Sequence, residues 1–456
     1  MNYTTNNNIN QYENENIIKI PSTLERFHNT NTIFDKDNCG RKCYKIYGYV
    51  NPINDDYICD YCGEKMHIHD HNNITIKHLP LFGHYSVLVI DILQFKCLHC
   101  NSTKMQSIPF KAENHLITNQ LKNYTEDLLG NNDYTNKQIA QLTGLNRNLV
   151  KEIDKKRLQK MYTKNGEGKE LIKPEQQANF LGIDEFKLHD GYKYATHIID
   201  LETGHILWIA KGKKKHVVYD FINHVGYSWM SKVIAVACDM NSDFEEAFKE
   251  ECPHLKIVYD YFHIMKNFNE KVVSNIRKDE QARLTSEGKI EEAKKLKKTK
   301  YILVSSRNTL IKKDEEVKEN KVLSKKSILF NEPEITRKGN YVEKYNNLVN
   351  ENILLLTVDL IKDYLYEAFH TNNKSEMGKY IFSILELCEE SKNKHLQYFG
   401  KLIYNHYDGI ITHAEYNISS GKIEGINNKI KTIRRNAYGY PDDEYFFLKL
   451  FDMSRH

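Results

Sequence analysis

The chain has 456 residues, of which 40% are hydrophobic and 28% are charged, the balance of a soluble protein with a sizeable core. Its formal net charge of +4 excludes no class of partner, although the basic residues are clustered. No apolar run reaches the roughly 18 residues that span a membrane, and the polar N-terminus lacks the apolar region of a secretory signal. We therefore expect a cytoplasmic protein of about three domains, with reduced cysteines and no membrane partner.

The N-terminal quarter of the sequence contains two matched pairs of cysteines. Residues 1–38 are polar and are predicted to be poorly ordered, whereas residues 39–110 show short strand and turn patterns. The two Cys-x-x-Cys pairs in this second segment are Cys59 with Cys62 and Cys97 with Cys100. Two such pairs supply four thiolates in tetrahedral geometry, which predicts a zinc ribbon with a closed, structural Zn²⁺ site. The alternative, four buried free cysteines, does not explain the matched spacing.

Short helices are predicted next, over residues 111–165. Within them, residues 136–153 have the pattern of a helix-turn-helix, because Gly144 permits a turn between two segments with apolar residues at helical spacing. Four polar residues at the start of the second helix would point into a DNA groove: Asn146, Arg147, Asn148 and Lys151. Two ordinary packed helices remain the alternative interpretation.

From residue 175 to residue 270 a strand hairpin is followed by alternating helix and strand, which predicts a mixed α/β sheet. Three of its apolar strand patterns end in an acid: Asp184, Asp239 and Asp260. Ligands bind at the carboxyl ends of strands in open α/β sheets, and acids there are costly unless they hold cations. The pattern predicts two Mg²⁺ ions, or Mn²⁺, acting on a phosphodiester. For any single one of these acids, a turn or a helix cap is the alternative.

The remaining chain is predicted to be almost entirely helical. Residues 271–415 lack strand patterns and form a helical insertion, whose lysine pairs either contact phosphates or form a solvated surface. Residues 416–456 return to the core with a helix that has one apolar face and a second face beginning at Glu424. An acid followed by cations is what a DNA-cutting site needs. The DNA-contacting residues predicted here and after the third strand are Asn428, Lys431, Arg434, Arg435, Lys213, Lys214 and Lys215.

Taken together, these motifs resemble the IS-L-three family of bacterial insertion-sequence transposases. The matching segments are the four-cysteine ribbon, the helices from Thr135 to Ile153, Gly182-Ile-Asp-Glu185, Cys238-Asp239, Asp260-Tyr-Phe-His263 and Ile423-Glu-Gly-Ile-Asn427. The resemblance implies a multidomain α/β protein in which a zinc ribbon and a helix-turn-helix precede an RNase H-like catalytic core with a helical insertion.

The resemblance also implies the roles of the acidic residues. Asp184, Asp239 and Glu424 would be the catalytic carboxylates that bind two Mg²⁺ ions. His263 would lie near the scissile phosphate. Asp260 competes with Asp239 for the second metal position, and we favour Asp239 because the family pattern has its second carboxylate there.

The expected activity is DNA strand cleavage and strand transfer at transposon terminal inverted repeats, with joining to target DNA. By resemblance, a dimer or larger multimer would act at the bacterial nucleoid. A DNA-binding regulator with an inactive core and a metal nuclease without strand transfer are the alternatives. The three acids favour an enzyme over a regulator, but hydrolysis and strand transfer use the same two metals, so the sequence does not separate nuclease from transposase.

Overall fold

The computed structural model describes residues 24–37, 40–191, 193–240, 242–318, 339–416, 418, 421–436 and 440–456. The chain divides into two compact units. Unit 1 contains the residues up to Ile172 together with Arg434–Ser454 and His456, and unit 2 contains Lys173–Ile433 and Arg455. Within the described ranges, no helix is both long enough and apolar enough to cross a membrane.

Unit 1 begins with a five-stranded sheet in the order β1-β2-β4-β3, with β5 paired to β4. The strands are β1 (Phe27–Lys36), β2 (Lys42–Val50), β3 (Met66–Leu81), β4 (His84–Cys97) and β5 (Thr103–Met105). β3 and β4 form a long antiparallel hairpin, whereas β2 runs parallel to β4. Alternate residues of β2, β3 and β4, including Ile46, Ile76 and Leu88, are fully buried and form the core of this sheet.

Strand β1 lies within the segment 1–38 that the sequence predicts to be poorly ordered, and here the structure differs from the prediction. β1 pairs antiparallel with β2 from Phe27 opposite Val50 to Lys36 opposite Lys42. Most of its side chains are exposed, so backbone hydrogen bonds hold the strand in place. Every residue except proline can supply such bonds, which is why the polar composition did not reveal the strand. Residues 1–23 lie outside the described residues.

Three helices follow in unit 1: α1 (Asn119–Gly130), α2 (Asn136–Thr143) and α3 (Arg147–Tyr162). α2 begins at a capping box formed by Thr135 and Gln138, and it ends at Gly144, whose φ of +71° lies in the left-handed region. Asn146 is the N-cap of α3, and its side chain accepts a hydrogen bond from the backbone N–H of Asn148. The two predicted helices and the turn between them are therefore present in the structure.

Unit 2 is built on a mixed sheet in the order β10-β9-β6-β7-β8. Its strands are β6 (Phe180–His189), β7 (Lys193–Asp200), β8 (Ile206–Lys211), β9 (Ala235–Cys238) and β10 (Lys256–Tyr259). β6, β7 and β8 are antiparallel, whereas β9 and β10 run parallel to β6, so the prediction of a mixed α/β sheet is confirmed. β9 is buried along its whole length, as its continuous apolar run predicts.

Helices connect and cover these strands. Those between β8 and β10 are α4 (Lys215–Val225), α5 (Tyr227–Met230) and α6 (Ser242–Glu251). Apolar residues of α4 and α6, among them Phe221 and Phe248, pack in one core with Leu181, Ile183 and Ile198 of the sheet. These strand residues alternate with Gly182 and Asp184, which therefore belong to the opposite face.

After β10 the described chain is helical, in agreement with the predicted insertion. The helices are α7 (Tyr261–Asn267), α8 (Ser274–Ser286), α9 (Ile290–Leu296), α10 (Lys300–Val304), α11 (Arg307–Lys318), α12 (Tyr341–Asn350), α13 (Ile353–His370), α14 (Lys374–Glu390), α15 (Lys394–Asn405) and α16 (Tyr407–Tyr416). α7 continues through a π-helical turn at Phe268–Val273 into α8. Residues 319–338, which include Lys325 and Lys326, lie outside the described residues.

The last two helices are α17 (Gly421–Asn436) and α18 (Asp443–Met453). The start of α17 lies on the sheet of unit 2, close to Gly182, where a Cβ atom would be only 2.7 Å from Cδ1 of Ile423. This close approach explains a glycine inside strand β6. α17 matches the predicted helix from Ser419 to Arg435, although residues 419 and 420 lie outside the described residues.

Helix α18 folds with α3 in unit 1, whereas the sequence predicts that residues 416–456 close the catalytic core as one piece. Two fully buried carboxylates join these helices, Asp154 on α3 and Asp452 on α18. The Arg157 guanidinium donates hydrogen bonds to both, at 3.0 Å and 2.7 Å, and the Tyr445 hydroxyl donates to Asp154 at 2.6 Å. Burial alone would raise the pKa of Asp452, but the ion pair with Arg157 lowers it below its ordinary value.

We expect Asp452→Ala to destabilise unit 1 by about 3–5 kcal/mol, because it leaves Arg157, whose side chain is only 11% exposed, without one of its two carboxylates. Glu444→Ala serves as the control, since Glu444 pairs with Lys155 at the surface and such pairs contribute at most about 1 kcal/mol. Hydrogen exchange along α3 during urea titration measures both effects. Equal, small losses in the two variants would contradict a stabilising role for this network.

Candidate functional site

Asp184 lies near the middle of β6, on the face of the sheet that α17 covers. Its Oδ1 accepts a hydrogen bond from the backbone N–H of Glu185 at 2.7 Å, and its Oδ2 accepts one from Nδ2 of Asn427 at 2.6 Å. The carboxyl group is half-buried, and burial raises its pKa above the ordinary value. Asp184 is therefore a partly desolvated carboxylate held by the first turns of α17.

Asp239 directly follows β9, the parallel neighbour of β6, so it emerges at the same edge of the sheet. Its Oδ1 lies 3.5 Å from Nδ1 of His263 on α7. Both Asp239 and His263 interact electrostatically with Asp184. The structure thus brings together three of the residues that the sequence predicts at the active site.

Asp260 is buried and serves as the N-cap of α7, where its carboxylate accepts a hydrogen bond from the backbone N–H of Phe262 at 3.3 Å. This is the helix-cap alternative that its sequence position left open. A capping carboxylate already has a structural role, which supports the choice of Asp239 as the partner of Asp184.

Glu424 is exposed in the first turn of α17, one residue after Ile423 and three residues before Asn427. Those two neighbours contact β6, so this turn of α17 lies against the strand that carries Asp184. Over the residues that the structure describes, the four cysteines are the only His, Cys, Asp or Glu group of three or more with ligand atoms all within 4.8 Å of one another. The three carboxylates therefore lie on adjoining elements, but their oxygen atoms do not all lie within 4.8 Å of one another.

Two oxygen-bearing side chains at this edge were not predicted from the sequence. Oε2 of Glu185 and Oδ1 of Asn427 are buried and have no hydrogen-bond partner within the described ranges. Burial raises the pKa of Glu185, whose Oε1 lies 3.8 Å from Nζ of Lys213. Glu185 follows Asp184 in β6 and therefore lies on the opposite face, whereas the unpaired Asn427 oxygen lies beside the Asp184 carboxylate. Such oxygen atoms are the ligands that Mg²⁺ prefers, so the residues on the α17 face fit a divalent cation. In the sequence, Glu185 follows Asp184 directly and Asn427 lies one helical turn after Glu424, and this proximity to the predicted carboxylates could have indicated both residues.

His197 lies opposite Asp184 in the β6–β7 pair and is fully buried. Neither of its ring nitrogens has a hydrogen-bond partner among the described residues, and burial lowers the pKa of His197 to about 4. The imidazole is therefore neutral in the folded protein at pH values where it would be protonated in the unfolded chain.

We expect acid to destabilise unit 2 through this histidine. Between roughly pH 6.5 and pH 4 only the unfolded state binds the proton, so stability falls by up to about 1.4 kcal/mol per pH unit as the pH decreases. His197→Leu should remove most of this slope, whereas His370→Leu, at an exposed histidine of the same unit, should not. Tryptophan fluorescence during urea titration reports on unit 2 alone, because both tryptophans, Trp208 and Trp229, belong to it. Equal slopes in wild type and His197→Leu would refute the assignment.

The two cysteine pairs meet at one end of the β3–β4 hairpin. Sulfur–sulfur distances are 3.5 Å for Cys59–Cys100, 3.5 Å for Cys62–Cys97 and 3.6 Å for Cys62–Cys100. A tetrahedral zinc site with Zn–S bonds of about 2.3 Å has sulfur–sulfur distances of about 3.8 Å, so the cluster fits Zn²⁺. Ser102, not predicted from the sequence, lies 3.1 Å from the Cys59 sulfur, and its hydroxyl lowers the pKa of Cys59 to about 6.

The predicted DNA-contacting residues differ in their surroundings. Asn146, Arg147 and Asn148 are exposed at the start of α3, as are Asn428, Lys431 and Arg435 on α17, whereas Arg434 is half-buried. Lys151 instead pairs with Asp442 at 3.0 Å. Lys214 and Lys215 pair with acids of α6, namely Asp243, Glu246 and Glu250. Lys213 lies over the Tyr194 ring at 4.5 Å, beside Glu185.

Comparison with known proteins identifies the family of the chain. A family model described as "Transposase", of the IS-L-three type, matches residues 181–450, and a model described as "zinc-finger of transposase IS204/IS1001/IS1096/IS1165" matches residues 57–100. The transposase for insertion sequence element IS1001 of Bordetella parapertussis is 25% identical over 403 residues, which are 88% of this chain and 90% of that protein. The transposase for IS1557 of Mycobacterium tuberculosis is 22% identical over 281 residues, 57% of this chain and 56% of that protein.

The family model for transposases matches more than half of the sequence, and the matched region contains the sheet with its acidic residues. The chain is therefore a protein of the transposase class. The match to the zinc finger of IS-L-three transposases, together with the four-cysteine cluster, identifies the family within that class. The chain belongs to the IS-L-three family of transposases, and the resemblance found in the sequence is confirmed.

Proposed function

We propose that this transposase cleaves DNA at the terminal inverted repeats of an insertion sequence and joins the ends to target DNA. The observation that carries the proposal is the meeting of β6, β9 and the start of α17 at one sheet edge, with Asn427 donating to Asp184. The mixed sheet, with three antiparallel and two parallel strands, supports an RNase H-like core. A carboxylate from each of these elements is the arrangement that the family's three-acid site requires.

In this proposal Asp184, Asp239 and Glu424 hold the metal ions, and the buried Oδ1 of Asn427 adds an oxygen atom on the same face of β6. Bound Mg²⁺ supplies activation of a water or 3′-hydroxyl and stabilises charge on the leaving oxygen. The chain's own residues orient the groups around that chemistry.

His263 orients the Asp239 carboxylate through Nδ1, and Asn427 orients Asp184. Lys213, next to Glu185, is placed to contact a phosphate of the bound strand.

DNA recognition is assigned to the exposed start of α3. A glycine turn between two packed helices is the geometry of a helix-turn-helix, in which the second helix enters the major groove. Arg147, exposed in the first turn of α3, is the strongest candidate for a base contact because its guanidinium can bind guanine at two atoms. Two copies of the chain would hold the two ends of the element.

Incubation of the purified protein with terminal-repeat DNA, Mg²⁺ and a target plasmid tests the proposal. Joined products support the transposase. Cleavage without joining would identify a metal nuclease, and binding without cleavage would identify a DNA-binding regulator. The absence of binding to terminal-repeat DNA would overturn the proposal altogether.

A further inference from the structure

The turn of the β3–β4 hairpin carries an exposed aromatic residue in an unfavourable backbone conformation. Leu81 pairs with His84, so Phe82 and Gly83 form a two-residue turn. Phe82 has a φ of +46°, Gly83 has a φ of +76°, and the Phe82 side chain is 77% exposed. Two-residue turns with positive φ at both positions favour Asn-Gly, and a bulky residue at the first position is an outlier. Local stability therefore does not explain a phenylalanine here.

Phe82 belongs to a group of rings at this end of the sheet, which we call the aromatic tip: Phe34, Tyr44, Phe82 and His84. The ring centroids of Phe34 and Tyr44 are 4.9 Å apart, as are those of Phe34 and His84, and Tyr44 lies 6.1 Å from Phe82. Phe34 is 50% exposed. A contiguous exposed aromatic patch marks an interaction surface on a folded domain.

The strands that carry the aromatic tip contact the turn between α2 and α3 through Tyr85 and Lys77, which are not part of the tip itself. The Tyr85 hydroxyl donates to the carbonyl oxygen of Gln141 at 2.5 Å, and Lys77 Nζ donates to the carbonyl oxygen of Gly144 at 2.7 Å. Gly144 packs directly on the Tyr85 ring, since a Cβ there would lie 2.7 Å from Cδ1 of Tyr85. Tyr85 follows His84 in the chain, so the aromatic tip and the exposed start of α3 are neighbouring parts of one folded unit.

The surroundings of the aromatic tip fit a polyanion. Residues 34–45 contain four basic side chains and two acidic ones, and Lys45 pairs with Asp35 and Arg41 with Asp37, so the segment keeps a net charge of +2. Basic side chains bind phosphates without regard to sequence, whereas exposed rings stack on bases or wedge between base steps. Exposed aromatic rings beside a segment of net positive charge are therefore suited to nucleic acid.

We propose that the aromatic tip is a second DNA-contacting element, in which Phe82 packs against bases next to the segment that α3 reads. This inference rests on the proposed function, because it takes terminal-repeat DNA as the ligand of α3. The hairpin would extend the contacted sequence beyond the reach of one helix. A second copy of this chain is the other occupant that such a patch could have.

The test measures binding of the full-length protein to terminal-repeat duplex by fluorescence anisotropy at fixed salt, with wild type, Phe82→Asn, Tyr61→Asn and Arg147→Ala. Phe82→Asn removes the ring but installs the residue that this turn prefers, so the fold is kept. Tyr61 is the matched control: it is 85% exposed, and it lies at the zinc end of the same hairpin, about 45 Å from the turn. Thermal unfolding and sedimentation of each protein without DNA accompany the titrations.

We expect Phe82→Asn to weaken binding about tenfold or more, with thermal stability unchanged or raised, and Tyr61→Asn to bind like wild type. If Phe82→Asn binds like wild type while Arg147→Ala is weakened, the inference fails but the proposed function stands. If wild type shows no preference for terminal-repeat DNA, the proposed function itself fails. A change of oligomeric state in DNA-free Phe82→Asn would assign the aromatic tip to a contact between copies and overturn the inference.

Discussion

Asp184→Asn is expected to lower both strand cleavage and strand transfer at least about a thousandfold, equivalent to about 4 kcal/mol of transition-state stabilisation. The amide keeps the shape of the side chain and its place beside Asn427, but it removes the negative charge that a divalent ion needs. Gel assays with terminal-repeat DNA, Mg²⁺ and target plasmid measure both steps in the same reaction.

The folded protein supplies a second measurement that does not depend on activity. Burial raises the pKa of Asp184, so the ionised carboxylate is disfavoured in the metal-free fold, and Asp184→Asn should unfold at the same temperature as wild type or higher. Added Mg²⁺ should raise the melting temperature of wild type but not of the variant. Asp190→Asn, at a fully exposed acid just after β6, is the matched control and should keep activity and metal response. Near-normal joining by Asp184→Asn would disprove the site assignment.

Unit 2 was largely predictable because its signals are local. β9 is an uninterrupted apolar run that ends one residue before Asp239, and a strand buried on both faces leaves that pattern in any sequence. α17 has Ile423, Ile426 and Ile430 at helical spacing, and all three are buried. The order of the strands, with β6 between β7 and β9, was not predictable, because it depends on pairings between segments distant in the chain.

Ion pairs between residues that are far apart in the chain could not be predicted from the sequence. Lys151 has the position of a groove-reading residue in α3, yet it pairs with Asp442 from the other end of the chain. Lys214 and Lys215 form a basic run in the sequence, but acids of α6 neutralise them. Composition and spacing record which charges are present but do not record which opposite charges the fold brings beside them.

The zinc site illustrates how a local motif determines the stability of a region that has little core of its own. Over the described ranges, the buried residues of the cluster around the cysteines are Met66 and Phe95 with the thiols of Cys59 and Cys97, and Tyr57, Cys62 and Leu93 are partly buried against them. The main core of the sheet, around Ile46 and its neighbours, forms a separate cluster. A cluster of this size cannot offset the loss of conformational entropy when the surrounding loops become ordered. Zinc binding must therefore supply the remaining free energy that stabilises this region.

Removal of zinc is therefore expected to unfold one end of the hairpin and leave the other end folded. Structural zinc contributes about 10 kcal/mol or more to the segments that it joins, far more than the local core provides. Treatment with a strong chelator, or Cys97→Ser, should abolish hydrogen-exchange protection in residues 57–66 and 95–105. Protection around Ile76 and Leu88 should persist, because these residues belong to the other core.

Zinc content distinguishes this effect from general destabilisation. Wild type and Cys388→Ala, which alters a buried thiol of the helical insertion, should each retain one zinc ion per chain, whereas Cys97→Ser should retain none. Because the aromatic tip and α3 lie at the opposite end of the hairpin, their mutual contact through Tyr85 and Gly144 should survive metal loss. Global unfolding of unit 1 on chelation would show instead that the zinc end and the rest of the sheet fold as one cooperative unit.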